Sequence, residues 1–220
     1  MNLRSRFESQ MLNLNKMLIE MGETVEQCIS MATVALADKN MSLAREVIAT
    51  DRSINEQEKD IESLCLKLLL HQQPVAKDLR MISAALKMIT DMERIGDQCS
   101  DICDICLLVE DEYIMDIEPF RQMGNIAIDM VHDSIEAFVK SDRDLAGAVL
   151  EKDDIIDKSF VDIKDALYKL MLADVNNSIQ PLDLLMIAKY YERIGDHAEN
   201  LAEWVIFSIT GEQKPEIYSN

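Results

Sequence analysis

The sequence predicts an all-α protein made of two tandem antiparallel three-helix bundles that are related by an internal duplication. Residues 21–70 align without a gap on residues 123–172, at a constant offset of 102. The pentapeptide Glu-Arg-Ile-Gly-Asp occurs at 93–97 and again at 192–196, at an offset of 99. Only 6 glycines and 4 prolines interrupt the 220 residues, which leaves long stretches of helix-forming sequence. A duplicated helical unit therefore sets the architecture.

Turn-forming residues divide the first repeat into three predicted helices. The first spans residues 4–37 and ends at the Asp-Lys-Asn sequence of residues 38–40. The second spans residues 41–70 and ends at residues 71–74, which close on a proline. The third spans residues 75–110, where apolar residues recur at spacings of three and four and predict one buried stripe. That stripe comprises Met81, Ala85, Met88, Met92, Ile95, Cys99, Ile102 and Cys106.

The second repeat predicts three further helices. The helix at 119–140 begins on a proline and ends at the Ser-Asp sequence of residues 141–142. The next spans 142–173 and is separated by Asn-Asn-Ser at 176–178 from the last, which spans 179–210. The buried stripe of the last helix comprises Leu184, Ile187, Tyr191, Ile194, Ala198, Leu201 and Val205. We therefore assign 1–113 to the first bundle, 114–213 to the second and 214–220 to a C-terminal tail.

The composition argues against several classes of function. With 41 acidic and 22 basic side chains the formal charge is −19, which repels phosphate backbones and anionic lipid surfaces, so nucleic-acid binding is not expected. No apolar run of about 18 residues or apolar signal segment is present, so we expect a cytoplasmic protein without membrane insertion. The 5 cysteines, an odd number, indicate reduced thiols, and those on the third helix lie in the core stripe.

Both copies of the pentapeptide place carboxylates one helical turn apart, on a face away from the core stripe. In the third helix these are Glu93 and Asp97, and Asp101 extends the same face. The sixth helix carries a longer row, Glu192, Asp196, Glu199 and Glu203. Like charges at this spacing destabilise an isolated helix by about 0.2–0.5 kcal/mol per pair, so a compensating interaction is expected.

The preceding helix of each repeat offers further oxygen ligands. Asp153 and Asp157 lie one turn apart in repeat two, and the matching positions in repeat one are Asp51 and Asn55. Two neighbouring helices that both present carboxylates suit multivalent cations, because hard cations prefer oxygen ligands. The 3 histidines form no Glu-x-x-His pair, so a ferritin-like di-iron oxygenase is not expected. The predicted metal ligands are Asp51, Glu93, Asp97, Asp101, Asp153, Asp157, Glu192, Asp196 and Glu199.

A solvated acidic face that pairs with Lys or Arg across a bundle would give the same pattern and stays an alternative. The duplication favours metal, because a glycine interrupts the acidic helix both times, at Gly96 and Gly195. Glycine in a helix interior costs about 1 kcal/mol relative to Ala. Because each glycine lies between the core stripe and the acidic face, we expect both to permit close approach of a neighbouring helix.

The doubled pentapeptide, with Asp-Leu-Arg at 78–80 and Lys87 ahead of the first copy, resembles the PhoU family of bacterial phosphate-signalling regulators. The resemblance extends from about Phe7 to Gly211 and implies two three-helix bundles that bind metal clusters. Iron or zinc is expected first, with manganese or magnesium as alternatives. The matches to the family's Glu/Asp-x-x-x-Asp motifs are Glu93/Asp97, Glu192/Asp196 and Asp153/Asp157. Asn55 departs from the pattern, so a weaker or absent cluster is expected in repeat one.

The resemblance also implies a cytoplasmic negative regulator that connects the phosphate ABC transporter, through its ATPase subunit, to a sensor histidine kinase. Such proteins are adaptors and not enzymes. The sequence agrees, since it shows no Gly-rich phosphate loop, Walker sequence or Ser/His/Asp constellation. A metal-dependent hydrolase that uses the paired carboxylates and a metal-free helical scaffold stay alternatives. The identity of the metal and the formation of a homodimer are left open.

Overall fold

The computed structural model describes residues 3–71, 74–109, 112–174 and 179–212, and within them it contains six α-helices and no strand. The helices are α1 (Leu3–Asp38), α2 (Met41–His71), α3 (Ala76–Cys106), α4 (Glu118–Lys140), α5 (Arg143–Ala173) and α6 (Ile179–Thr210). The all-α prediction is confirmed. Helix α3 is shorter than predicted, because the chain leaves it in a turn at residues 107–108. The predicted breaks at 71–74 and 176–178 fall partly or wholly outside the described residues, as does the tail at 214–220.

Each repeat folds into a three-helix bundle, and the two bundles pack side by side. Helices α1, α2 and α3 contact one another, as do α4, α5 and α6. The bundles meet where α1 packs on α4 and α3 packs on α6. Buried apolar residues from all six helices form one continuous core. The duplicated bundles of the sequence prediction are therefore present and share a single core.

The contact between α1 and α4 follows the internal duplication. A Cβ atom on Gly22 would lie 3.0 Å from Cγ1 of Ile135, and one on Gly124 would lie 2.3 Å from Oγ1 of Thr33. Gly22 and Gly124 are repeat mates at the offset of 102, and so are Thr33 and Ile135. The two contacts are thus copies of each other in an antiparallel pair. The repeats pack about an approximate two-fold axis, as the subunits of a symmetric dimer do.

The turn between α1 and α2 has the same backbone conformation as the turn between α4 and α5. Lys39 and its repeat mate Ser141 adopt positive φ angles of 51° and 54°. The next residue caps the following helix in each case: Asn40 Oδ1 accepts a hydrogen bond from the Leu43 N–H, and Asp142 Oδ1 accepts two from the first turn of α5. These tight turns hold α2 and α5 beside the helices that precede them.

The apolar stripes predicted for α3 and α6 are buried, with one exception. Met81 is only half-buried, because it borders a cavity between α1 and α3. All five cysteines are buried and free, as predicted for those on α3, and burial raises the pKa of Cys65 to about 12. None of the helices in the described ranges has the length and apolar character that a membrane span requires.

Candidate metal centre

Three carboxylates converge between α5 and α6. One oxygen each from Asp153, Asp157 and Asp196 lies within 4.8 Å of the other two. The spacing of four residues puts Asp153 and Asp157 on one face of α5, and Asp196 meets them from α6. Elsewhere in the described ranges, no group of three or more His, Cys, Asp or Glu residues comes together this closely. The tightest acidic cluster is therefore built from three of the predicted ligands.

Gly195 makes room for this cluster. A Cβ atom there would lie 2.8 Å from Asp153 Oδ1 and 3.1 Å from both Cγ2 and Cδ1 of Ile156. Its repeat mate Gly96 does the same for α2, since a Cβ atom would lie 2.8 Å from Cδ1 of Ile54. The expectation that both glycines permit close helix approach is confirmed. In repeat two the space gained is occupied by the carboxylate of Asp153.

The carboxylate of Asp153 is in an unfavourable environment without a cation. The residue is 8% exposed, and its Oδ1 atom is buried with no hydrogen-bond partner among the described residues. Burial, followed by the charge of Glu199 and then those of Asp157 and Asp196, raises the pKa of Asp153 to about 7. A buried anionic oxygen without a donor is costly, and a bound cation offsets that cost directly. The residues present therefore fit a multivalent metal ion.

Two further predicted ligands lie beside the three aspartates. Glu192 raises the pKa of Asp157 and of Asp196, in both cases after burial, which is the larger cause. Glu192 also forms an ion pair with Lys189, one turn before it on α6. Glu199 is the leading charged neighbour of Asp153. Five of the nine predicted ligands thus occupy one region of repeat two.

The equivalent region of repeat one is partly neutralised by its own side chains. Asn55 Nδ2 donates to Asp51 Oδ2 over 3.0 Å, where repeat two has a third aspartate. Arg94 donates to Asp97 Oδ2 over 3.1 Å and also pairs with Glu93 over 3.5 Å. Asp51 Oδ1 nevertheless lies buried without a hydrogen-bond partner in the described ranges, and burial followed by Asp97 raises the pKa of Asp51. Repeat one therefore also has a buried carboxylate oxygen without a hydrogen-bond partner, Asp51 Oδ1, but fewer carboxylates lie around it.

Asp101 is a predicted ligand whose charged neighbours include a residue of the other repeat. Its pKa is raised by burial and then by Asp97 and Asp104, and lowered by Arg193 from the other repeat. Asp101 therefore faces the junction of α3 with α6. Its carboxylate interacts electrostatically with Arg193 of repeat two and is not part of the group around Asp51.

Sequence reasoning missed a polar network next to Asp196. Asp91 on α3 accepts three hydrogen bonds from α6, from His197 Nδ1 (2.9 Å), Asn200 Nδ2 (3.1 Å) and Trp204 Nε1 (3.2 Å). The spacings of three and four residues between these donors place them on one face of α6. That spacing was visible in the sequence, but their acceptor lies more than a hundred residues away. The network fixes α6 against α3 directly beside the candidate ligand.

Comparison with known protein families gives a match over both repeats. The family model described as the PhoU domain matches residues 18–106 and again residues 120–205. A relative from Clostridium acetobutylicum, named phosphate-specific transport system accessory protein PhoU homolog, is 35% identical over 212 residues, which are 96% of this chain and 97% of the relative.

Two solved structures resemble the fold closely. The crystal structure of PhoU from Pseudomonas aeruginosa matches with a TM-score of 0.90 and 32% identity, over 94% of this chain and 100% of that chain. The crystal structure of the phosphate transport system regulatory protein PhoU from Streptococcus pneumoniae matches with a TM-score of 0.89 and 28% identity, over 95% and 99%. The similarity thus includes both bundles and their mutual packing.

Proposed function

The chain belongs to the PhoU family, and on that premise we propose that it is a cytoplasmic, metal-binding accessory protein that restrains phosphate uptake and phosphate signalling when phosphate is plentiful. The relatives' names, accessory protein and regulatory protein of phosphate transport, support the regulatory part. The observation that supports the metal part is the convergence of three aspartates, one of which, Asp153, has a buried Oδ1 atom without a hydrogen-bond partner among the described residues.

Repeat two is the proposed metal-binding half. Asp153, Asp157 and Asp196 would hold the ion, and Glu192 and Glu199, whose charges act on these aspartates, would supply further oxygen ligands or bridge to a second ion. Iron or zinc is proposed first, and manganese or magnesium suits the same hard oxygen set. The bound metal supplies positive charge that relieves the repulsion among these carboxylates. Relief of that repulsion would hold α5 against α6.

The proposed partners are the ATPase subunit of the phosphate ABC transporter and a sensor histidine kinase. A formal charge of −19 favours partner surfaces that carry basic residues, because complementary potentials speed encounter and select partners. We expect each complex to weaken as ionic strength rises, since exposed charges are screened by salt. Pull-down of each partner at low and high salt measures this dependence. Complexes that are insensitive to salt would contradict the electrostatic part of the proposal.

The regulatory role is tested by deleting the gene for this chain and measuring phosphate uptake and alkaline phosphatase activity in phosphate-rich medium. We expect both to rise, and the wild-type chain to restore them. The variant Asp153→Asn with Asp196→Asn should fail to restore them. Asp162→Asn is the matched control, because Asp162 lies on the same helix but is exposed and paired with Lys158. Immunoblots confirm equal abundance.

The outcomes separate the alternatives. If deletion changes neither uptake nor phosphatase activity, the phosphate role is wrong. If the double variant restores control fully, the chain acts as a metal-free scaffold. Hydrolysis of a chromogenic phosphomonoester by the metal-loaded chain, lost in Asp153→Asn, would favour the hydrolase alternative over an adaptor.

A further inference from the structure

A cavity of about 220 Å³ lies in the groove between α1 and α4. Its apolar wall is formed by Ile19 of α1 and by Ile135 and Val139 of α4. Ile19 and Val139 are 37% and 36% exposed, so this wall is open to solvent. The volume is below the range of about 300–1,000 Å³ that is usual for small-molecule sites. The cavity therefore suits a side chain of another protein better than a whole small-molecule ligand.

Three glutamates surround the apolar wall. Glu23 and Glu26 come from adjacent turns of α1, and Glu136 comes from α4. Glu23 is exposed, whereas Glu26 is half-buried. The pKa of Glu26 is raised by burial first, lowered by His132, and raised further by Glu23 and Asp129. The α1 side of the groove therefore holds carboxylates that repel one another.

The remaining two lining residues neutralise the glutamates only in part. His132 Nδ1 lies 3.2 Å from Glu26 Oε1, and His132 Nε2 lies 3.6 Å from Glu136 Oε2. An uncharged imidazole has a single N–H, so it can donate to only one of these two carboxylates. Lys140 forms an ion pair with Glu136. The groove thus presents three carboxylates against one lysine, which favours a partner that brings basic side chains.

The internal duplication shows that these carboxylates are not needed for the packing of α1 on α4. The two-fold axis relates the groove to the opposite end of the same helix pair, where the repeat mates of the three glutamates are Asn125, Ile128 and Val34. The two helices pack closely at that end as well, since Gly124 lies against Thr33. The same contact therefore forms with no carboxylate at the three positions, and the glutamates serve another purpose.

We propose that this acidic groove docks a helix of a partner protein that presents a basic side chain one turn from an apolar one. The apolar side chain enters the cavity against Ile19 and Val139, and the basic side chain meets Glu23 and Glu26. Burial of apolar surface and neutralisation of the carboxylates both favour the complex. The inference rests on the adaptor role proposed above, which requires surfaces that partner proteins can bind. The predicted metal ligands all lie on α2, α3, α5 and α6, so docking on α1 and α4 leaves the metal centre free.

Methyl NMR of the full chain, with labelled isoleucine and valine, tests the docking with a synthetic peptide. The probe is an alanine-based helical peptide that carries one leucine and, one turn away, one arginine. A second peptide has glutamine in place of the arginine, and a third has alanine in place of the leucine. We expect the first peptide to shift the Ile19 and Val139 signals and to leave that of Val34, which is exposed at the other end of the helix pair, in place. No shift at the groove, or equal binding of all three peptides, would overturn the proposal.

Two double variants with the same change in net charge separate local attraction from the overall charge. Glu23→Gln with Glu26→Gln should weaken binding of the arginine peptide by about tenfold. Glu56→Gln with Asp162→Asn removes two exposed carboxylates, on α2 and α5, and should leave the affinity unchanged. Equal affinities of the two variants would show attraction by net charge alone and overturn the proposal. Self-association of the chain that the peptide competes away would assign the groove to a second copy and also overturn it.

The groove variant also distinguishes failure of this inference from failure of the proposed function. Glu23→Gln with Glu26→Gln should bind metal as the wild type does, by elemental analysis, and should fail to restore control of phosphate uptake in the deletion strain. Full restoration of control by this variant would overturn docking at the groove and leave the proposed function intact. A deletion strain with unchanged uptake, together with specific binding of the arginine peptide, would overturn the proposed function and support the groove as a docking site.

Discussion

Replacing Gly195 by Ala tests whether the glycine of the second pentapeptide exists to admit the Asp153 carboxylate. The new Cβ atom would lie 2.8 Å from Asp153 Oδ1 and 3.1 Å from Ile156 Cγ2. Ile156 is fully buried, so close packing opposes the χ1 rotation that would move its Cγ2 atom away. The Asp153 carboxylate is therefore the group that moves most, which disturbs its arrangement with Asp157 and Asp196.

The magnitude follows from two opposing effects. Ala in a helix interior is favoured over Gly by about 1 kcal/mol. Overpacking a close-packed site costs about 1–3 kcal/mol. Gly147→Ala in α5 isolates the first effect, because nothing lies within 4 Å of a Cβ atom there. We therefore expect Gly147→Ala to raise the free energy of unfolding by up to about 1 kcal/mol. The free energy of unfolding of Gly195→Ala should be lower than that of Gly147→Ala by about 1–3 kcal/mol.

Urea unfolding of both metal-free variants measures this difference, and isothermal titration with zinc or iron measures the affinity of each. Gly195→Ala should bind metal more weakly than the wild type, and Gly147→Ala should bind it as the wild type does. If Gly195→Ala stabilised the chain as much as Gly147→Ala and left metal affinity unchanged, Gly195 would not be needed to admit the Asp153 carboxylate.

Asn55→Asp should increase the amount of bound metal, measured by elemental analysis, because it gives repeat one the third aspartate that repeat two has. An unchanged metal content would show that the pairing of Arg94 with Glu93 and Asp97 prevents binding. The pKa of Asp153 is about 7 in the folded chain, above its ordinary value of about 3.9. At pH values between these two, the folded state therefore binds more protons than the unfolded state. The free energy of unfolding of the metal-free chain, measured with urea, should therefore fall as pH rises from about 5 to about 8. The fall should be less steep in Asp153→Asn. Equal slopes in the two proteins would contradict a raised pKa at Asp153. The five thiols should react with a chromogenic disulfide reagent only on unfolding, because all are buried and burial raises the pKa of Cys65 and of Cys106 to about 12. Rapid reaction of the folded chain would contradict this prediction.

The fold was accessible from the sequence because its signals are local. Helix periodicity, the turn residues at 38–40 and 141–142 and the gapless repeat all act over short stretches of chain. The joining of the two bundles was not predicted, although Gly22 and Gly124 were visible as an identical pair. Their role depends on Thr33 and Ile135, which lie on the partner helix and meet them only after folding.

The candidate site was predictable to the extent that helical spacing fixes it. Asp153 and Asp157 share a face of α5 because they are four residues apart, and the repeat placed Asp196 on the facing helix. Spacing alone could not place Asp101, which the packing of α3 on α6 turns toward Arg193. The network around Asp91 was missed for the same reason, since its donors come from the other repeat.

Elemental mass spectrometry of the chain, purified without chelators and then reconstituted with iron, zinc, manganese or magnesium, tests the proposed metal-binding function most directly. We expect bound metal in the wild type and in Asp162→Asn, and background levels in Asp153→Asn with Asp196→Asn. Background metal in the wild type after reconstitution, or equal metal in the double variant, would contradict it.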